Sequence, residues 1–116
     1  AIFHVNWFRA DARGRFVWPG FGQNLRVLLW IVDRVQGRGG ATETPIGLVP
    51  TESALDWDGL DLPAAERRGL LAVDRSEWAA EVPEIRAFFD RFGRRLPAEL
   101  GGALSSLEED LARVAV

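Results

Sequence analysis

Between Ile2 and Arg26 the chain reads IFHVNWFRADARGRFVWPGFGQNLR, setting Phe3, Trp7, Phe8, Phe16, Trp18 and Phe21 around Gly14, Pro19, Gly20 and Gly22. Rings spaced along a strand, a turn and a glycine-rich bend can converge into flat-sided slots, the shape a purine base needs. β-branched and aromatic residues predict a strand over residues 2–8, a turn over 10–14 and a second short strand over 15–18. Pro19-Gly20 then breaks the chain. Phe21-Gly22-Gln23-Asn24 leads into a predicted helix over residues 23–36, stopped by Gly37 with Gly39-Gly40 beyond. Leu25, Leu28, Leu29, Ile31, Val32 and Val35 cover most of its circumference, which predicts burial on more than one side. Trp30 falls with Arg26, Asp33 and Arg34 on the remaining face and is expected to pack on a neighbouring segment.

The remainder is mostly helical in pattern. Two prolines and the apolar Ile46, Leu48 and Val49 predict an extended connector over residues 42–50. Asp61 and Pro63 can start a short helix through Leu71, and Ser76 can cap another whose Trp78, Val82, Ile85, Phe89 and Phe92 step by helical spacing. Pro83 is expected to kink that helix or to delay its start to Glu81. Pro97 opens a last helix, with Ser105 and Glu108 as an alternative capping-box start beyond Gly101-Gly102. Leu104, Leu107, Leu111 and Val114 make that ending amphipathic. The predicted class is α+β, two short strands followed mostly by helices.

Composition bounds the chemistry. A chain of 116 residues suits one domain, or part of one, and the run from Val27 to Val32 is far too short to span a bilayer. A net charge of -3 argues against a nucleic-acid backbone as partner. Without cysteine there is no disulfide or thiolate site, in keeping with the cytoplasm. All 14 basic side chains are Arg, so a lysine base, a Schiff base and a phosphate-loop lysine are all excluded. The chain has no Met and opens at Ala1 on a strand-like run, and it is read as a piece of a longer polypeptide.

Other motifs carry less. Asp56-Trp57-Asp58-Gly59-Leu60-Asp61 resembles a calcium loop, but Leu60, Asp61 and Arg67 fall where an oxygen ligand, a glycine and a bidentate Glu belong. It is read as a solvated turn. His4 has no Ser or carboxylate at triad spacing, and Gly37-Arg38-Gly39-Gly40 lies at a helix end and lacks the Lys-Ser/Thr of a phosphate loop. Glu108-Glu109-Asp110 is most simply the outer face of the last helix.

The aromatic stretch is more specific. Phe3-His4-Val5-Asn6-Trp7-Phe8-Arg9, then Gly14-Arg15-Phe16-Val17-Trp18-Pro19-Gly20-Phe21-Gly22-Gln23-Asn24, resembles the GTP-dependent phosphoenolpyruvate carboxykinases near their C-terminus. The resemblance continues through Arg26-Val27-Leu28, Trp30, Thr44-Pro45-Ile46-Gly47 and Pro50, and more faintly through Leu55, Gly59-Leu60 and Trp78. It implies a C-terminal part of a larger α/β enzyme, with residues 1–40 carrying a guanine slot and residues 41–116 the connector and C-terminal helices. The base would lie among Phe8, Phe16 and Phe21, with Gly22, Gln23 and Asn24 supplying backbone and amide contacts. Stacking on phenyl faces is indifferent to which purine is bound, whereas an amide can tell guanine from adenine. Gln23 stands where the family usually has an acid, and Leu25 where it has a small polar residue. Gly101-Gly102 interrupts what looks like continuous helix in relatives.

The resemblance further implies a decarboxylating lyase of gluconeogenesis that converts oxaloacetate and GTP to phosphoenolpyruvate, GDP and carbon dioxide. Such an enzyme uses manganese at its active site and magnesium with the nucleotide, and is a cytosolic monomer. Its phosphate loop, metal-binding Lys, His and Asp, and substrate-binding Arg residues lie upstream of Ala1, so the piece should bind GTP or GDP without catalysing alone, its partner being the upstream part. Two other readings remain open: a non-catalytic interaction module gripping a peptide with the aromatic cluster, and aromatic stacking on single-stranded nucleic acid, which the acidic balance disfavours.

Overall fold

The computed structural model describes residues 1–113. Four helices and one hairpin make up its regular structure: α1 (Asn24–Val35), β1 (Ala41–Thr44), β2 (Gly47–Pro50), α2 (Ala64–Leu71), α3 (Arg75–Asp90) and α4 (Ala98–Ala112), with single 3-10 turns at Phe21–Gln23, Glu52–Ala54 and Gly93–Arg95. The chain divides into two units, one comprising Ala1–Glu43 and Leu48–Ala72, the other Thr44–Gly47 and the chain from Val73 onward.

In the first unit the expected strand over residues 2–8 does not form. Asn6 ends it: its Oδ1 accepts from the Phe8 backbone N–H at 3.0 Å, an Asx turn that bends the chain where a strand would run straight. The second expected strand, over 15–18, is reduced to one antiparallel bridge between Ala10 and Phe16. Both strands lie instead in the segment expected to be an extended connector, where β1 and β2 pair around a tight turn. Gly47, at φ 112°, takes a conformation closed to other residues there, and its carbonyl accepts from Thr44 Oγ1 at 2.6 Å.

α1 follows the expected limits within a residue. Its C-terminus is a Schellman motif: Gly37 at φ 79° donates to Arg34 O, and Arg38 N donates to Asp33 O at 2.7 Å. Trp30 packs on a neighbouring segment as expected, but the expected burial of the aliphatic face does not hold. Leu25, Leu28, Leu29, Val32 and Val35 are exposed, and Trp30, set on the supposedly polar face, is the one buried residue of the helix, 6% exposed. The helix turns inward the row of Asn24, Val27, Trp30, Ile31 and Arg34, because Trp30 finds both a ring, Phe3 at 6.0 Å edge-to-face, and an acceptor, Gly40 O at 2.9 Å.

The core of this unit is Trp18, Leu60 and Leu62, flanked by Trp7, Val17, Val27, Trp57 and Leu70. The segment that resembles a calcium loop thus delivers Leu60 to the interior. It turns on Leu60 N donating to Trp57 O at 3.0 Å, while Asp56 Oδ1 accepts from Asp58 N.

The second unit is a helical pair. Val82, Leu104 and Leu111 form its core, with Trp78, Ile85, Phe89 and Leu107 packed around them as the spacing predicts, whereas Phe92, the last residue of the expected stripe, lies beyond α3 and is exposed. Asp74, not Ser76, caps α3, accepting from Ser76 N at 2.8 Å and Glu77 N at 3.1 Å. Pro83 neither stops nor delays the helix, which runs through it from Arg75. α4 begins just after Pro97 and continues through Gly101-Gly102, so the later start at Ser105 is not used. Arg75 holds the far end of α4, its Nη1 donating to the carbonyls of Asp110, Leu111 and Arg113. Val114 lies outside the described residues.

Candidate functional site

Phe8 and Phe16 are brought together by a short hairpin. Arg9 O accepts from Val17 N, Asp11 N donates to Arg15 O, and Gly14 N donates to Asp11 O, at 2.8–2.9 Å. Gly14 closes the turn at φ 77°. The Asp11 carboxylate accepts from the backbone N–H groups of Arg13 (2.8 Å) and Arg15 (3.0 Å) and from Arg15 Nε (3.2 Å). Its carboxyl is held below the usual carboxylate range, first by the Arg15 backbone donor, then by Arg13 and the Arg15 charge, with desolvation acting in the opposite direction.

The two phenyl rings that this turn positions are 5.7 Å apart and inclined at 61°. Both face solvent, at 69% and 66% exposure, and Phe21 at the head of the next segment is 95% exposed. A phenylalanine alone on a surface is ordinary; three within fourteen positions, two in ring contact, leave an apolar area that the described residues do not cover. Phe21 makes no ring contact with the other two.

Phe21 opens a 3-10 turn that runs directly into α1. Gly20 allows this at φ 104°, and a Cβ added at Gly20 or at Gly22 would meet nothing within 4 Å, so both leave open space along the main chain. Gln23 and Asn24 are half-buried and committed to protein partners. Gln23 Oε1 accepts from Arg26 Nε at 2.7 Å, and Asn24 Oδ1 accepts from Trp18 Nε1 at 2.7 Å. Arg26 continues to Asp56 O at 2.8 Å and Asp58 O at 2.6 Å, with the Asp56 carboxylate 3.6 Å away. Gln23 is thus held toward Arg26 through Oε1, while its backbone N–H donates to Gly20 O at 2.9 Å.

Three residues support this region through contacts that the sequence reading did not assign. Arg9 Nη1 donates to Leu70 O (3.2 Å) and Ala72 O (3.0 Å), tying the hairpin to the C-terminal end of α2. Asp11 carries a readable signal, Asp-x-Arg-Gly-Arg, an Asx-type turn ending in glycine. Trp18 carries another, since a buried indole N–H needs an acceptor and Asn24 stands nearby in sequence.

His4 is exposed at the start of the chain. Among the described residues no three His, Asp or Glu converge to hold a metal ion. A cleft of the second unit, lined by Val82, Pro83, Arg86 and Leu111 among others, is crossed by an ion pair of 2.6 Å between Arg86 and Glu108 and adds no reactive group. No helix among the described residues is long and apolar enough to cross a membrane.

Comparison with known proteins adds the family context. Residues 1–110 match the family model described as the phosphoenolpyruvate carboxykinase C-terminal P-loop domain. The chain is 52% identical over 110 residues to a protein of Renibacterium salmoninarum named phosphoenolpyruvate carboxykinase [GTP], an alignment covering 95% of this chain and 18% of the relative. It is 51% identical over 111 residues to the protein of that name in Neocallimastix frontalis, covering 95% and 18%. It is 49% identical over 108 residues to the Mus musculus protein named as the mitochondrial form, covering 92% and 17%. The chain spans less than a fifth of the length of these curated relatives.

Proposed function

The chain belongs to the GTP-dependent phosphoenolpyruvate carboxykinase family, and from that membership we propose that it is the guanine-binding part of such an enzyme, holding the base of GTP or GDP among Phe8, Phe16 and Phe21. The observation that carries the reading is the exposed, contacting pair Phe8 and Phe16 with Phe21 exposed nearby in sequence. Stacking a purine on such faces contributes about 1–3 kcal/mol, and the open space along the main chain at Gly20 and Gly22 allows close approach of the base edge. Asn24 supplies the polar recognition, Gln23 a main-chain contact.

In this proposal the parent enzyme converts oxaloacetate and GTP to phosphoenolpyruvate, GDP and carbon dioxide in gluconeogenesis, and the chain supplies binding energy remote from the reacting phosphate. In the same proposal phosphoryl transfer and metal binding are assigned to the parent's other residues, the chain having no lysine to cradle phosphates. The larger α/β setting, a monomeric parent and a cytoplasmic site belong to the same proposal; the mouse relative carries a mitochondrial name.

Titrating the chain with GDP and with ADP, read by tryptophan fluorescence and by thermal stability, tests the base assignment. Saturable GDP binding with little response to ADP, abolished by Phe21→Ala, is expected. A folded chain that ignores both nucleotides counts against the base assignment and favours a non-catalytic interaction module.

A further inference from the structure

Trp18 Nε1 lies 2.7 Å from Asn24 Oδ1. An indole nitrogen can only donate, so the end of the amide that it meets is the oxygen; chemistry here fixes the orientation of a group whose two ends are otherwise nearly interchangeable. The indole itself is anchored, 6% exposed among Leu60 and Leu62 with Trp7 at 6.4 Å. Asn24 is also fixed in its backbone as the first residue of α1, at φ -62°. With Oδ1 engaged, the free end of the side chain is Nδ2, which has no hydrogen-bond acceptor among the described residues.

The two purines differ in sense at position 6 and at the neighbouring N1, and the proposal concerns the first. Guanine presents an accepting oxygen at C6, where adenine presents a donating amino group. Accepting the guanine-base reading above, we infer that Trp18 is a positioning residue for nucleotide choice: it holds the Asn24 amide with Nδ2–H₂ toward the 6-position of the bound base. A 6-oxo purine is then accepted and a 6-amino purine meets donor against donor. An amide free to rotate would present its oxygen to adenine after a half-turn, and selectivity would fall. The phenyl rings cannot supply this discrimination, since every base has a face to stack. The indole supplies it by occupying the amide oxygen that adenine's 6-amino group would need.

The test compares GDP and ADP affinities of the wild-type chain, Trp18→Phe and Asn24→Asp, and follows the Asn24 side-chain amide resonances without nucleotide. Asn24→Asp sets an acceptor against the guanine oxygen, and the GDP-over-ADP ratio is expected to fall on the order of 10–100-fold. Trp18→Phe is expected to keep GDP binding within a few-fold while lowering the ratio about tenfold, chiefly by improving ADP. Its Asn24 amide signals shift or broaden as the side chain gains a second orientation. A tighter GDP complex in Asn24→Asp overturns the inference, because the oxygen end would then be reading the donors of guanine. A folded Trp18→Phe with an unchanged ratio also overturns it. If Trp18→Phe fails to fold, Asn24→Asp decides alone. Wild-type chain that binds neither nucleotide overturns the guanine reading itself, while the amide resonances still report separately whether Trp18 orients Asn24.

Discussion

The indole N–H of Trp30, in the middle of α1, ends on the carbonyl oxygen of Gly40, 2.9 Å away at the entrance to β1. The same oxygen receives Thr51 N at 3.4 Å from beyond β2, so one main-chain atom ties the helix to both strands of the hairpin. Trp30→Phe keeps most of the buried ring and removes the donor. It is expected to lower the unfolding free energy by about 1–2 kcal/mol in urea titrations, and an unchanged midpoint would show that the bond contributes nothing net.

The Asp11 carboxylate gives the aromatic hairpin a pH dependence of defined sign. Its folded-state value lies below its unfolded value of roughly 4, so its stabilisation is fully present above that pH and is lost as pH falls through the depressed value. NMR contacts between the Phe8 and Phe16 rings are therefore expected to hold at neutral pH and to fade in strong acid. Asp11→Ala is expected to weaken the same contacts at pH 7 and to remove the acid transition.

Gln23→Glu restores a charge facing Arg26 Nε. The existing contact is 2.7 Å and the guanidinium is only 19% exposed, so the new charge-assisted bond is partly shielded from water. A gain of about 1 kcal/mol is expected, read as a higher Tm, with little change in GDP affinity because the side chain is engaged with Arg26. Weaker GDP binding at unchanged Tm would place the side chain at the ligand instead.

The outward row Leu28, Leu29, Val32 and Val35 on α1 predicts self-association of the chain at high concentration. Replacing Leu29 and Val32 together by Gln is expected to lower the apparent mass in sedimentation and to reduce dye binding. Stability should stay within about 0.5 kcal/mol per site, since both side chains already face solvent.

Much of this was legible in the sequence, and the failures have physical causes. Limits of α1 and α2 and the apolar stripe of α3 follow from glycine stops, proline starts and helical spacing, all of which are local. Residues 2–8 have strand composition but Asn6 supplies a competing local hydrogen bond, and β-propensity without a partner strand does not make a ladder. The inward face of α1 was misread because hydrophobic periodicity marks which side chains avoid water, and leaves open which neighbour covers them. At the candidate site the rings and glycines were visible as residue types. The pairings Trp18 with Asn24 and Gln23 with Arg26 depend on where α1 begins relative to the core, and only coordinates supply that.

Arg26 reaches across to residues 56–58 chiefly by gripping main-chain oxygens, those of Asp56 and Asp58. Any amino acid carries such an oxygen. The anchor beside Gln23 therefore tolerates a change of the Asp58 side chain, whereas Asp56 also holds the turn through its carboxylate.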